Sequence, residues 1–66
     1  MVVHVNGEPV EVADETSVRD VVLRVGANPE AVAVARNGEV VPRRLHPTTR
    51  LAPGDRVEVI RAVGGG

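Results

Sequence analysis

Cysteine, lysine, phenylalanine, tyrosine and tryptophan are all absent from this 66-residue sequence. Without cysteine there is no disulfide, no thiolate metal site and no thiol nucleophile, so the usual reinforcements of a very small domain are missing. Without lysine there is no side-chain amine to form a Schiff base or to accept an isopeptide bond. Without aromatics no nucleic-acid base can stack on the chain, and eight basic residues against nine acidic ones, a net charge of −1, argue against a polyanion partner. Long apolar runs are lacking too. The longest, Ala31 to Ala35, falls far short of a membrane span, and the stretch after Met1 turns polar by its fourth residue, unlike a secretory signal. The expectation is a cytoplasmic protein with no membrane and no nucleic-acid partner.

What is present is valine: sixteen of them, against three leucines and one isoleucine. Branching at Cβ restricts χ1 and favours the pleated surface of a sheet over a helix. The length allows one domain, which buries only about 60% of the surface its unfolded chain exposes. A sheet protein with an aliphatic core and a minor helix is expected.

The pattern along the chain gives the order. Residues 2–5 read as a strand, Asn6-Gly7 as a tight hairpin turn, and Pro9 to Ala13 as the returning strand. After the polar break from Asp14, Ser17 and Asp20 form a capping box with aspartate in place of glutamate. Val18, Val21, Val22 and Val25 then recur on one helical face, with Arg19, Asp20 and Arg24 off it. Gly26 supplies a left-handed C′ residue, and Pro29 keeps the helix from resuming. Ala31 to Arg36 reads as a strand of the buried type, Asn37-Gly38 as a second hairpin turn, and Glu39 to Val41 as a short return that Pro42 stops. Residues 43–53 are irregular, with Leu45 and Leu51 as expected core anchors. Pro53-Gly54-Asp55 is a turn, and Arg56 to Val63 is the last strand, with Val57 and Val59 on one face and Glu58 and Ile60 on the other. The order β-β-α-β-β-β is α+β, a mixed sheet with its one main helix packed on one face. The first and last strands can pair in parallel at its centre, leaving the opposite sheet face uncovered.

No catalytic constellation emerges. His4 lies in a strand and His46 in the irregular stretch, and neither has an acidic pair at ligand spacing, so no metal site is expected. The Asn-Gly pairs lead into strands, not helices, and so are not phosphate loops. Arg43, Arg44 and Arg50 read as a solvated loop, with a modest anion patch as the alternative. The residues of interest are the last three. A strand running into Gly64-Gly65-Gly66 gains nothing from packing, since glycine pays the highest entropy for order. Its use is slimness: residues without Cβ atoms can thread a narrow channel and place a terminal carboxylate inside another protein's site. That carboxylate is ionised near neutral pH and is a poor electrophile until another enzyme activates it as a mixed anhydride. Residues 1–63 are therefore read as the domain and 64–66 as a flexible glycine tail.

With these features together, the chain resembles the ThiS/MoaD group of ubiquitin-like sulfur carriers, which have the β-grasp fold and a terminal Gly-Gly. Three stretches are similar to the ThiS family within that group: Asn37-Gly38-Glu39-Val40-Val41-Pro42-Arg43, Leu51 to Val59 with its Gly54-Asp55 and Val57-Glu58-Val59, and Arg61-Ala62-Val63-Gly64-Gly65-Gly66. The sequence departs from the family at His46, where many members carry tryptophan three residues after the arginine of Val-Pro-Arg.

The resemblance implies a carrier that is acted on and is not itself an enzyme. An E1-like adenylating enzyme of the ThiF type would spend ATP with Mg²⁺ to make the Gly66 acyl-adenylate. A persulfide donor or sulfurtransferase would then convert it to a Gly66 thiocarboxylate, with Gly64 and Gly65 giving the tail its access. A thiazole synthase of the ThiG type would take the sulfur for thiamine biosynthesis. No cofactor would be bound by the chain itself. For docking of the adenylating enzyme the expectation is an open-face patch at Ile60 with some of Arg43, Arg56 and Arg61 around it; the alternative is that Ile60 packs under the 43–53 stretch. Two other readings fit the same residues. One is a related carrier or modifier serving tRNA thiolation, molybdopterin synthesis or protein conjugation. The other is a β-grasp binding module with an inert tail.

Overall fold

Two Asn-Gly pairs set the register of most of the sheet. The computed structural model describes residues 1–61. In it Asn6 and Asn37 both take φ of 50°, and Gly7 and Gly38 follow at 84° and 85°. Consecutive left-handed residues make the two-residue turn whose twist matches that of paired strands. The first turn joins β1 (Val2–Val5) to β2 (Glu8–Glu11), and the second joins β3 (Val32–Arg36) to β4 (Glu39–Val41). Turn length fixes the pairs, so Val5 faces Glu8 and Arg36 faces Glu39. The second strand therefore runs from Glu8 to Glu11, starting before the expected Pro9 and stopping short of the expected Ala13. Pro9 itself sits on the sheet edge opposite His4, where a missing N–H costs no ladder bond.

The last strand, β5 (Arg56–Arg61), lies at the centre of the order β2-β1-β5-β3-β4. It runs parallel to β1 and antiparallel to β3. The expected extension of this strand through Val63, and the tail 64–66, lie outside the described residues.

The helix α1 (Val18–Arg24) is only seven residues long and would be marginal alone. Packing and capping hold it. Val18, Val21 and Val22 are fully buried in one cluster with Val3, Val5, Val32, Val34, Val57 and Val59. Burying three valine side chains contributes roughly 5 kcal/mol. Its first-turn donors are all satisfied. Asp20 N–H reaches the Ser17 hydroxyl at 3.1 Å and Ser17 N–H reaches the Asp20 carboxylate at 3.0 Å, the expected capping box. Val18 and Arg19 donate to the carbonyls of Thr49 and His46, so the irregular stretch is laced to the helix start. Gly26, at φ 77°, follows the C-cap Val25 as expected.

Two expectations need correction. β3 is buried on one face only: Val32 and Val34 point into the core while Ala33 is exposed, because α1 covers just one side of the sheet. Leu45, at 37% exposed, is not a core anchor. Arg43–Leu45 forms a single 3-10 turn, and the residue it delivers inward is His46, 3% exposed. The His46 Nε2–H donates to the Val41 carbonyl at 2.9 Å, which fixes the proton on that nitrogen. Leu51 is buried, as expected.

Candidate functional site

The alternation of β5 builds the open face. Val57 and Val59 are buried beneath α1, so Arg56, Glu58 and Ile60 project from the other side. Ile60 is 55% exposed. Its cross-strand neighbour on β3 is Ala33, and Ala35, two residues on, faces both Glu58 and Val40. Side chains opposite one another in a sheet lie about 5 Å apart. The two alanines are short, which leaves Ile60 and Val40 standing above them. Among the described residues Val40 is the most exposed large apolar one, at 75%. The result is an apolar strip of Ile60, Ala33, Ala35 and Val40, with the charges of Arg56 and Glu58 along one flank. Apolar side chains grouped on one face of so small a domain are more informative than scattered exposed ones.

The structure brings some of the expected docking residues together and separates others. Arg56 shares the face of Ile60 and pairs with His4 across β1. Arg43 borders the far side of the strip, where it joins Ala33, Val40 and Pro42 around a hollow of about 230 Å³. Arg61 does not belong to this face. It alternates with Ile60, and its guanidinium reaches the Val25 carbonyl at the end of α1 at 3.4 Å. A cation over the last carbonyls of a helix is favourably placed. Gly64, Gly65 and Gly66 lie outside the described residues.

Sequence reasoning missed Val40, Ala33 and Ala35. The signal was available in the second Asn-Gly turn: a two-residue loop pairs Arg36 with Glu39, and stepping back one pair puts Ala35 against Val40.

The end of β5 needs separate support, because β1 stops at Val5 while β5 continues to Arg61. Asn6 supplies it. Its backbone N–H donates to the Val57 carbonyl at 2.9 Å. Its side-chain Oδ1 accepts the Val59 N–H at 2.9 Å, and its Nδ2 lies 3.5 Å from the Val59 carbonyl. Asn37 does the corresponding service at the start of β5, accepting the Arg56 N–H at 2.9 Å and donating to Asp55 at 3.1 Å.

Asp55 is the one buried carboxylate among the described residues. Burial pushes its pKa up, but hydrogen bonds from the Ala52 N–H, Asn37 and Arg36, with the Arg36 charge, outweigh that and hold it below its ordinary value. These bonds tie the turn before β5 to the end of β3, a structural role. Among the described residues no three His, Cys, Asp or Glu side chains converge on a point that could hold a metal ion. His4 and His46 lie apart, the first beside Asn6 and Arg56, the second beside Arg43 and Pro47. No helix of the described residues is long and apolar enough to cross a membrane. The described surface thus offers an exposed apolar strip and a braced strand end.

A five-stranded mixed sheet in this order, with one helix on one face, is the ubiquitin-like β-grasp architecture. The crystal structure of a thiamine biosynthesis protein, ThiS, from Geobacter metallireducens superimposes with a TM-score of 0.83 at 36% identity, covering all of both chains. The ThiS family model matches residues 3–66, and the chain belongs to the ThiS family. It is also 38% identical over 66 residues to a thiazole synthase of Magnetococcus marinus, of whose length it spans 20%. The uncharacterized protein ycf40 of Porphyra purpurea is 33% identical over 64 residues, 90% of its length.

Proposed function

We propose that this chain is a sulfur carrier of thiamine biosynthesis whose reactive group is the Gly66 carboxylate. The observation that carries the proposal is a family match that runs through the terminal glycines. The carboxylate attacks the α-phosphorus of ATP on an E1-like adenylating enzyme and releases pyrophosphate, with Mg²⁺ held by that enzyme. A persulfide from a sulfurtransferase displaces AMP to give an acyl disulfide, and a second thiol cleaves it to leave the Gly66 thiocarboxylate. The chain has no cysteine, so the persulfide and the second thiol both come from partners. Thiazole synthase then takes the sulfur. A thiazole synthase with a segment similar to this chain supports that pairing.

Docking of the adenylating enzyme is assigned to the open face, with Ile60 and Val40 as apolar anchors and Arg56 and Arg43 on either side. Gly64 and Gly65 let the tail reach through a narrow channel. The test is reconstitution with the host's adenylating enzyme, ATP and a persulfide donor. The full chain supports ATP–pyrophosphate exchange, and a chain lacking Gly65 and Gly66 does not. A host deleted for the chain requires thiazole or thiamine. Unimpaired exchange by the truncated chain, or growth of the deleted host without either supplement, would contradict the proposal.

A further inference from the structure

We infer that Asn6 is a positioning residue for the carrier tail, an inference that rests on the sulfur-carrier reading above. β5 is a central strand only as far as β1 accompanies it. Pairing with β1 ends at Val5 opposite Val57, and the next residues of β5 keep β3 alone as a strand partner. Odd-numbered residues of β5 turn their backbone groups toward β1, as the bonds to the Asp55 and Val57 carbonyls show. The groups of Val59 would therefore face an empty edge. The Asn6 side chain occupies it, with its carboxamide in the place of a peptide unit, and accepts the Val59 N–H at 2.9 Å.

This substitution of side chain for strand depends on the turn. With φ of 50°, Asn6 aims its amide at β5 across a separation of 53 residues. Asparagine tolerates this left-handed conformation better than most residues and carries both donor and acceptor. Val59 lies two residues before Arg61, so the brace acts on the last described turn of the pleat before the tail. A braced strand end is already in the geometry a partner must bind. An unbraced one is competent for only a fraction of the time, and apparent affinity falls by that fraction.

The experiment compares Asn6→Gly with Asn37→Gly in the full chain. Both keep a turn residue suited to positive φ, and each loses its side-chain bonds to β5. Only the first braces Val59, near the end of β5; the second acts at its start, on Arg56. Two quantities are read: amide hydrogen exchange at Val59 against Val22 of α1, and the KM and kcat for the carrier in ATP–pyrophosphate exchange on the adenylating enzyme. In Asn6→Gly, Val59 exchange speeds up about fivefold beyond any change at Val22, and KM rises about fivefold with kcat unchanged, the size of one net hydrogen bond. Asn6→Asp, which keeps the acceptor for the Val59 N–H, restores most of both. Asn37→Gly leaves KM unchanged. The inference is overturned if Val59 and Val22 change in step, or if both glycine variants raise KM equally. Absence of exchange activity in the unsubstituted chain would instead overturn the carrier reading, while the amide data would still decide whether the brace exists.

Discussion

Arg36 donates through Nε to Asp55 at 2.8 Å, and the same carboxylate accepts the Ala52 N–H at 2.8 Å. One buried acid thus joins the end of β3 to the turn that starts β5. Removing it leaves an arginine, an amide and a backbone N–H short of partners in a partly buried place. Asp55→Ala is expected to cost about 2–3 kcal/mol, read by urea denaturation at neutral pH.

The same group sets an acid response. Its folded pKa is depressed below the ordinary 3.8, so the stabilisation is fully present above that value and lost as pH falls through the lower folded pKa. Asp20, held down by the Ser17 backbone and hydroxyl bonds of the capping box, adds in the same direction. Stability should be nearly level from neutral pH down to about 5 and decline below about 4. Asp55→Ala should flatten that decline. An unchanged acid slope in the variant would show that other groups govern it.

Glu15 takes φ of 73° on the exposed approach to α1. A left-handed conformation costs an ordinary residue about 1–2 kcal/mol, and glycine escapes the penalty while losing more freedom on folding. Glu15→Gly should raise stability by about 0.5–1 kcal/mol, measured as a higher melting temperature. A lower melting temperature would mean that the Glu15 side chain stabilises the loop.

The open face and the helical face can be told apart by charge. Ile60→Glu and Val40→Glu should each raise the KM for adenylation at least tenfold while leaving the fold intact, since both side chains already meet solvent. Leu23→Glu is the control: Leu23 is also half exposed, but on α1. Equal effects from all three would place the adenylating enzyme elsewhere.

Local chemistry made much of this fold legible before any coordinates. The two Asn-Gly turns, the Ser17–Asp20 capping box, the valine face of α1 and the alternation of β5 are each decided within a few residues. The alternation put Ile60 opposite Val57 and Val59, but did not decide between solvent and packing under the 43–53 stretch; it is 55% exposed. Leu45 and His46 were not, because a single 3-10 turn has no period to show which of two neighbours points inward. The alanines of β3 misled for another reason: alanine counts as apolar yet costs little on a solvent face, so Val-Ala alternation passes for a buried run. The reach of Asn6 to Val59 was invisible because nothing local links residues 53 positions apart. It follows only once β1 and β5 are known to be neighbours and β5 the longer.

The central claim concerns Gly66, and intact mass tests it most directly. The untagged protein would be purified from its native cells without reducing or alkylating agents and fragmented to locate any change. The account predicts a fraction heavier by the replacement of one oxygen with one sulfur, confined to the terminal glycine. A single unmodified mass that persists after incubation with the adenylating enzyme, ATP and a persulfide donor would contradict it.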